Sequence, residues 1–316
     1  MSFLTQLNSG RALALDGAMG TELERRGVDM SLPLWSARAL IVAPETVRQA
    51  HQDYLAAGAD LLTTNTFRTH RRTLTRAGLG QRTRELTQLA VQLARDAIAQ
   101  SGRAWRPYLA GSMSPLEDCY SPSLVPSDDD LRAEHLEIAQ DLAGAGCDLL
   151  LVETMNTIRE AVIATEAAQS TGLPVCVSFV VGPNGRPPDT CPASAERCKG
   201  QVSTPVSAAE PIRLLSGESI TAAALALREL KPAAIMVNCV PLACSEPAVE
   251  ELRAAWPGAI GLYANIDRTD DAPPAVYAQH ARRWIERGAR IVGGCCGTSP
   301  AHIAAVRAQV DEETRR

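Results

Sequence analysis

The sequence predicts a parallel α/β barrel of eight βα units, a (β/α)8 TIM barrel in a single domain spanning residues 1–316. Two observations carry this reading. Short leucine-rich and β-branched runs alternate with longer amphipathic stretches almost from end to end, which is the pattern of parallel βα units. Eight such units in one chain of 316 residues suit a closed barrel. An open doubly wound sheet is the competing arrangement, because alternation does not show closure. No Gly-x-Gly-x-x-Gly follows the first strand, so its dinucleotide-binding version has little support.

In chain order the expected strands are Ala12–Asp16, Asp60–Phe67, Trp105–Met113, Asp148–Thr154, Pro174–Val180, Ala233–Cys239, Ala259–Ile266 and Arg290–Cys295. Helical segments between them include Thr46–Ala57, Thr83–Ala99, Ser127–Ala145, Ile158–Ser170, Ser219–Leu230 and Pro274–Arg287. Ser127 precedes Asp128–Asp130, which suits an N-cap and the positive end of a helix dipole. Gly58, Gly146, Gly172 and Gly288 each follow a helical run, where a left-handed C-cap is expected.

Residues 183–216 break the rhythm. They are rich in Pro, Ser, Gly and Thr, contain Asn184-Gly185 and Pro187-Pro188, and show no sustained strand or helix period. A loop of this size is uncommon inside a compact domain. It follows strand five, so in a barrel it emerges on the catalytic face, as a disordered excursion or as a lid.

A net charge of −5 and a pI near 5.6 offer no basic patch for nucleic acid or an anionic membrane. Residues 1–10 lack a charged stretch followed by an apolar one, so no secretory signal is expected. No run approaches the roughly 18 apolar residues of a membrane span, and a cytoplasmic protein is expected. Nine cysteines, an odd number scattered over the chain, argue against a disulfide framework. Cys147 and Cys176 lie in or beside apolar runs and read as buried small hydrophobes. Cys191 and Cys198, in the irregular region, read as non-ligands.

In such a barrel the chemistry sits at the C-terminal strand ends. Those ends carry Asp16, Asn65, Ser112, Glu153, Ser178, Cys239, Asn265 and Cys295-Cys296, few of which belong there for packing. Cys239 ends the sixth strand and Cys295-Cys296 the eighth, so three thiols can converge at one mouth. Three thiolates with an open fourth position describe a catalytic zinc site rather than a closed structural one. Gly293, Gly294 and Gly297 would let the backbone turn tightly around it. Against this, adjacent cysteines without a Cys-x-x-Cys partner are not a usual zinc spacing. Asp16, taken alone, reads equally as an Asx turn or helix N-cap. Glu153 follows Leu-Leu-Leu-Val, where an unpaired carboxylate is costly, which suits the binding of an ammonium group. Trp35 reads as packing or as a ring facing a cationic ligand.

Asp16-Gly-Ala-Met-Gly-Thr-Glu, Thr64-Asn-Thr-Phe, Glu153-Thr, Val237-Asn-Cys and Gly293-Gly-Cys-Cys-Gly resemble the motifs of the homocysteine S-methyltransferases, from Leu15 to about Thr298. That family includes S-methylmethionine- and betaine-dependent enzymes and the homocysteine module of methionine synthase. The resemblance implies Zn2+ held by Cys239, Cys295 and Cys296, with the homocysteine sulfur as fourth ligand. It implies Asp16 and Glu153 at the amino-acid moiety, the backbone near Gly17 assisting, and Trp35 on the donor side. Asn65 and Ser178 join the substrate-binding candidates by their strand ends. A cationic donor, S-methylmethionine or S-adenosylmethionine, is favoured over betaine, because with only 4% aromatic residues no aromatic-rich donor pocket is evident. Asn65-Thr66-Phe67 looks closer to the methionine-synthase module than to the S-methylmethionine enzymes. The chain also departs from the family by about 27 residues inserted between Arg186 and Leu214, where loops tolerate insertion cheaply.

The rival from another class is a non-catalytic zinc- or thiol-binding barrel, a sensor or partner subunit. A Schiff-base aldolase would place a lysine at a strand end, but Lys199 and Lys231 are the only lysines and neither lies there.

Overall fold

The computed structural model describes residues 1–187, 210–266 and 272–315. Among the described residues nine strands form: β1 (Leu13–Ala14), β2 (Leu61–Thr63), β3 (Tyr108–Met113), β4 (Leu149–Met155), β5 (Val175–Pro183), β6 (Ile212–Leu214), β7 (Ala234–Pro241), β8 (Ala259–Asn265) and β9 (Ala289–Gly294). All but β6 run parallel in the order β1-β9-β8-β7-β5-β4-β3-β2. The ring closes where Leu15 bridges Leu61 and the Asp60 N–H donates to Ala14 O at 2.7 Å. This is the eight-stranded barrel that the alternation predicted, with helices between successive strands.

Two apolar layers hold it. Inside the barrel Leu13, Leu15, Leu61, Leu149, Leu151, Met236 and Ile291 pack together. Outside it the complementary strand residues, such as Leu62, Leu150, Val177, Ile235 and Leu262, meet the helices. Both faces of each strand are therefore buried, which is why the runs read as continuously apolar. The short helix Phe3–Leu7 plugs the N-terminal end of the barrel: Phe3 packs edge-on against Tyr108 with ring centroids 5.6 Å apart. Among the described residues the opposite end stays open.

The helices follow their capping signals. The Ser127 hydroxyl accepts from Asp130 N at the start of Asp128–Ala145, and Gly146 ends that helix at φ +92°. Gly58, Gly172 and Gly288 likewise adopt positive φ. The segment expected over Ser219–Leu230 is a helix only across Ile220–Ala226. Lys231 at φ +48° lies directly before Pro232, and a residue before proline is steered out of the helical region.

Two other expectations are corrected. The second strand stops at Thr63 rather than Phe67. Thr64 N–H still donates to Ala110 O of β3, but beyond it the backbone leaves the sheet: Thr66 N donates to Thr64 O, and only the Thr66 hydroxyl reaches back to β3, at Ser112 O. Nor is 183–216 without strand structure: β6 pairs antiparallel with the end of β5, Val181 opposite Leu214 and Pro183 opposite Ile212. Three residues are too few to show a period, and the pairing comes from their position beside β5. Residues 188–209, with Cys191 and Cys198, lie outside the described residues, and with them most of the expected excursion or lid.

Candidate active site

The open end of the barrel holds a cavity, lined among others by Asp16, Glu153, Arg68 and the three cysteines. Its floor begins with sulfur. Cys239 Sγ and Cys295 Sγ stand 3.0 Å apart, and the thiols of Cys239, Cys295 and Cys296 all lie within 4.8 Å of one another. Zinc–sulfur bonds of about 2.3 Å in a tetrahedron separate sulfurs by about 3.8 Å, so this donor set fits one zinc ion with a position left for a fourth ligand. Cys295 receives hydrogen bonds from both neighbouring thiols and is held well below the ordinary thiol pKa. Cys239, facing the other two thiols, is pushed well above it.

Local backbone irregularities aim these groups. Cys239 has φ +47° and Thr154 φ +61°, both left-handed, and the registers of β7 and β4 slip at these points. Such bulges re-aim side chains beside active sites. One buried amide joins the two: Asn238 Nδ2 donates to Thr154 Oγ1 at 2.8 Å, and Asn238 Oδ1 accepts from Thr154 N and from the Ser178 hydroxyl. The Cys295-Cys296 turn is tied at Thr298, whose hydroxyl donates to Cys295 O at 2.8 Å and accepts from Ala18 N. Only Gly297 of the three glycines turns through positive φ, at +84°. Gly293 and Gly294 act instead by close approach: a Cβ at Gly294 would lie 2.4 Å from Thr298 Oγ1, and one at Gly293 2.6 Å from Leu15 Cβ.

The acids sit beside the sulfurs. Burial pushes Asp16 up to about 8, although its carboxylate accepts from Thr63 N at 2.8 Å and from the Thr63 hydroxyl. Burial pushes Glu153 up to about 7, against hydrogen bonds from the Ser112 hydroxyl and from Tyr263 OH, the latter at 3.0 Å. Two carboxyls held this far above the usual range favour a cationic guest. Gly17 passes between Tyr54 and Thr298 so closely that a Cβ there would lie 2.8 Å from the Tyr54 ring.

Trp35 lines the same cavity, at φ +45° and edge-on to Phe67 with centroids 5.6 Å apart. Asn65 also lines it, with its amide nitrogen donating to Ser36 O at 3.0 Å, so it fastens the turn that carries Trp35. Ser178 does not line the cavity; it is fully buried and bonds to Asn238. Cys147 and Cys176 are buried elsewhere, with burial raising both thiols to about 12, as expected of packing residues.

Against this geometry, a family model described as homocysteine S-methyltransferase matches residues 13–310. The chain belongs to that family. It is therefore a methyltransferase. It is 30% identical to homocysteine S-methyltransferase YbgG of Bacillus subtilis, over 94% of this chain and 93% of that one. It is 29% identical to homocysteine S-methyltransferase of Escherichia coli, over 94% of each. The metallated form of the homocysteine methyltransferase MmuM from Escherichia coli superposes with a TM-score of 0.78 at 27% identity, covering 96% of this chain and 98% of that one.

Sequence reasoning missed Thr63, Asn238, Tyr263 and Arg68. Tyr263 shares a strand face with Asn265, so alternation along β8 could have found it. Asn238 stands next to a candidate ligand but reads as an ordinary strand residue. Arg68 gives no signal, because an arginine in a loop is ordinarily solvated.

Proposed function

We propose that this methyltransferase forms methionine from homocysteine, with zinc held by Cys239, Cys295 and Cys296 and a sulfonium donor, S-methylmethionine or S-adenosylmethionine. The observation that carries the proposal is the convergence of three thiols with two buried acids on one cavity. The relatives' names, and the metallated state of the neighbour from Escherichia coli, support it. Zinc on three thiolates supplies deprotonation of a fourth thiol at neutral pH.

The chain's own residues do the rest. Asp16 and Glu153 receive the substrate ammonium, which restores their ionised forms. Trp35 offers its ring to a cationic donor. The homocysteine thiolate attacks the donor methyl in line. The new sulfur–carbon bond forms as the sulfonium bond breaks, and a neutral thioether departs without needing a proton. Among the described residues no helix is long and apolar enough to cross a membrane. Three thiols this close survive reduced only in a reducing compartment, so we place the protein in the cytoplasm, acting on small molecules.

The test is coupled. Zinc per chain is measured on purified protein, followed by methionine formed from homocysteine with S-methylmethionine and, separately, S-adenosylmethionine. Stoichiometric zinc with product is the expected result. Cys295→Ser should lose both while keeping the far-UV circular dichroism of the parent; full activity in that variant overturns the zinc assignment.

A further inference from the structure

Four arginines follow β2 within nine residues, and three of them hold a carboxylate. Arg71 bonds Glu137, Arg72 bonds Glu134 at 3.0 Å and Arg76 bonds Glu117 at 2.6 Å. Arg68 holds none. It is only 8% exposed, lines the cavity shared by the thiols and the two acids, and its Nε is fully buried without a hydrogen-bond partner. Among the described residues its guanidinium makes no hydrogen bond or ion pair; the Phe67 ring lies 5.7 Å from Cζ.

A guanidinium does not shed its proton in a protein, so this charge is permanent. With Nε fully buried and unpaired, that charge is incompletely solvated. A cation–π contact near the limit of about 6 Å offsets only part of the deficit. The deficit is removed when an anion enters, and a carboxylate matches the two-pronged donor geometry of arginine best.

We propose that Arg68 receives the α-carboxylate of an amino-acid substrate in this cavity. Where that substrate is homocysteine, Asp16 and Glu153 take its ammonium and the thiol cluster defines where its sulfur lies; where it is S-methylmethionine, Arg68 holds the donor beside the acceptor. The assignment rests on the reading of homocysteine as acceptor. Homocysteine and S-methylmethionine both carry the required group, and the experiment separates them.

Steady-state kinetics are compared for the parent, Arg68→Met and Arg68→Lys, with homocysteine against 3-aminopropane-1-thiol and S-methylmethionine against its decarboxylated analogue. Arg68→Met should raise KM for one substrate by about 10- to 100-fold, the size expected for a charge-assisted hydrogen bond, with kcat changed only a few-fold. The parent should prefer that substrate over its decarboxylated analogue by a similar factor, and the variant should lose the preference. The pair that changes names the source of the carboxylate. Arg68→Lys should recover part of the effect. Ligand-free Arg68→Met should melt no lower than the parent, since it removes an unpaired buried charge; a purely structural arginine would lower the melting temperature. Unchanged KM values and preferences, with methionine still formed, overturn the Arg68 assignment alone. If the parent forms no methionine with S-methylmethionine or with S-adenosylmethionine, the homocysteine reading falls, and thermal-shift binding of the same four compounds decides for Arg68. Stabilisation of the parent by the carboxylated members only, lost in Arg68→Met, supports it; no such difference overturns it.

Discussion

His51 shows how a single buried group sets a pH dependence. It sits in the helix Pro44–Ala56, fully buried, and neither ring nitrogen has a hydrogen-bond partner. Burial lowers its pKa from 6.5 to about 4. The unfolded chain therefore binds this proton first, and the stability tied to neutral His51 is present above pH 6.5 and is lost as pH falls towards 4. His51→Leu should raise stability relative to the parent at pH 5 by on the order of 1–2 kcal/mol more than it does at pH 8. Urea unfolding at the two pH values measures this, and an equal difference at both would remove His51 from the acid sensitivity. Asp16 and Glu153 are perturbed in the other direction by the same burial, but they face a cavity that can admit a counter-ion, whereas His51 is fully buried and lines no such cavity.

At the scale of elements, the site depends on two irregular strands more than on eight regular ones. β4 and β7 each depart from register at the point where the site begins, and Asn238 is the bond between them. Its amide meets Thr154 twice, Ser178 once and the Cys239 thiol once, at 3.4 Å, all fully or nearly fully buried. Replacing it by leucine strands those partners, at about 1–3 kcal/mol for each unsatisfied group. Asn238→Leu should lower the urea midpoint. Because Cys239 is held at φ +47° by the same bulge, zinc affinity measured by chelator competition should fall at least tenfold. A variant that loses stability but keeps the parent's zinc affinity would show that Cys239 is held by other contacts. Gly294 makes the matching point on β9, where missing side-chain volume lets Thr298 hold the Cys295 carbonyl.

For the molecule as a whole, the barrel turns eight scattered strand ends into one rim, with the helix Phe3–Leu7 closing the opposite end. The departure after β5 is anchored at both sides of residues 188–209. Asn184 N donates to Pro211 O at 2.8 Å, and Arg186 pairs with Glu210. Ends already held together lose little chain entropy on shortening. Replacing residues 188–209 by a short Gly-Ser linker should leave zinc content at the parent value and shift the melting temperature by no more than a few degrees. A loss of zinc on shortening would show that the segment supports the site itself.

Much of this was written in the chain. The apolar runs, glycine stops and Ser127 cap are local signals, and they determine the eight βα units because strand and helix periods follow from backbone geometry. Cys239, Cys295 and Cys296 were legible because each stands where an apolar run ends, a place packing alone does not fill with sulfur. The tertiary structure alone decided the rest. Asn238 and Tyr263 acquire roles only when strands distant in sequence lie side by side. Gly293 and Gly294 matter for how near Leu15 and Thr298 come, rather than for their own dihedrals. Arg68 is singular only because its neighbours Arg71, Arg72 and Arg76 each find an acid and, among the described residues, it does not. Pairing, burial and close approach are properties of distance in space, and sequence order does not carry them.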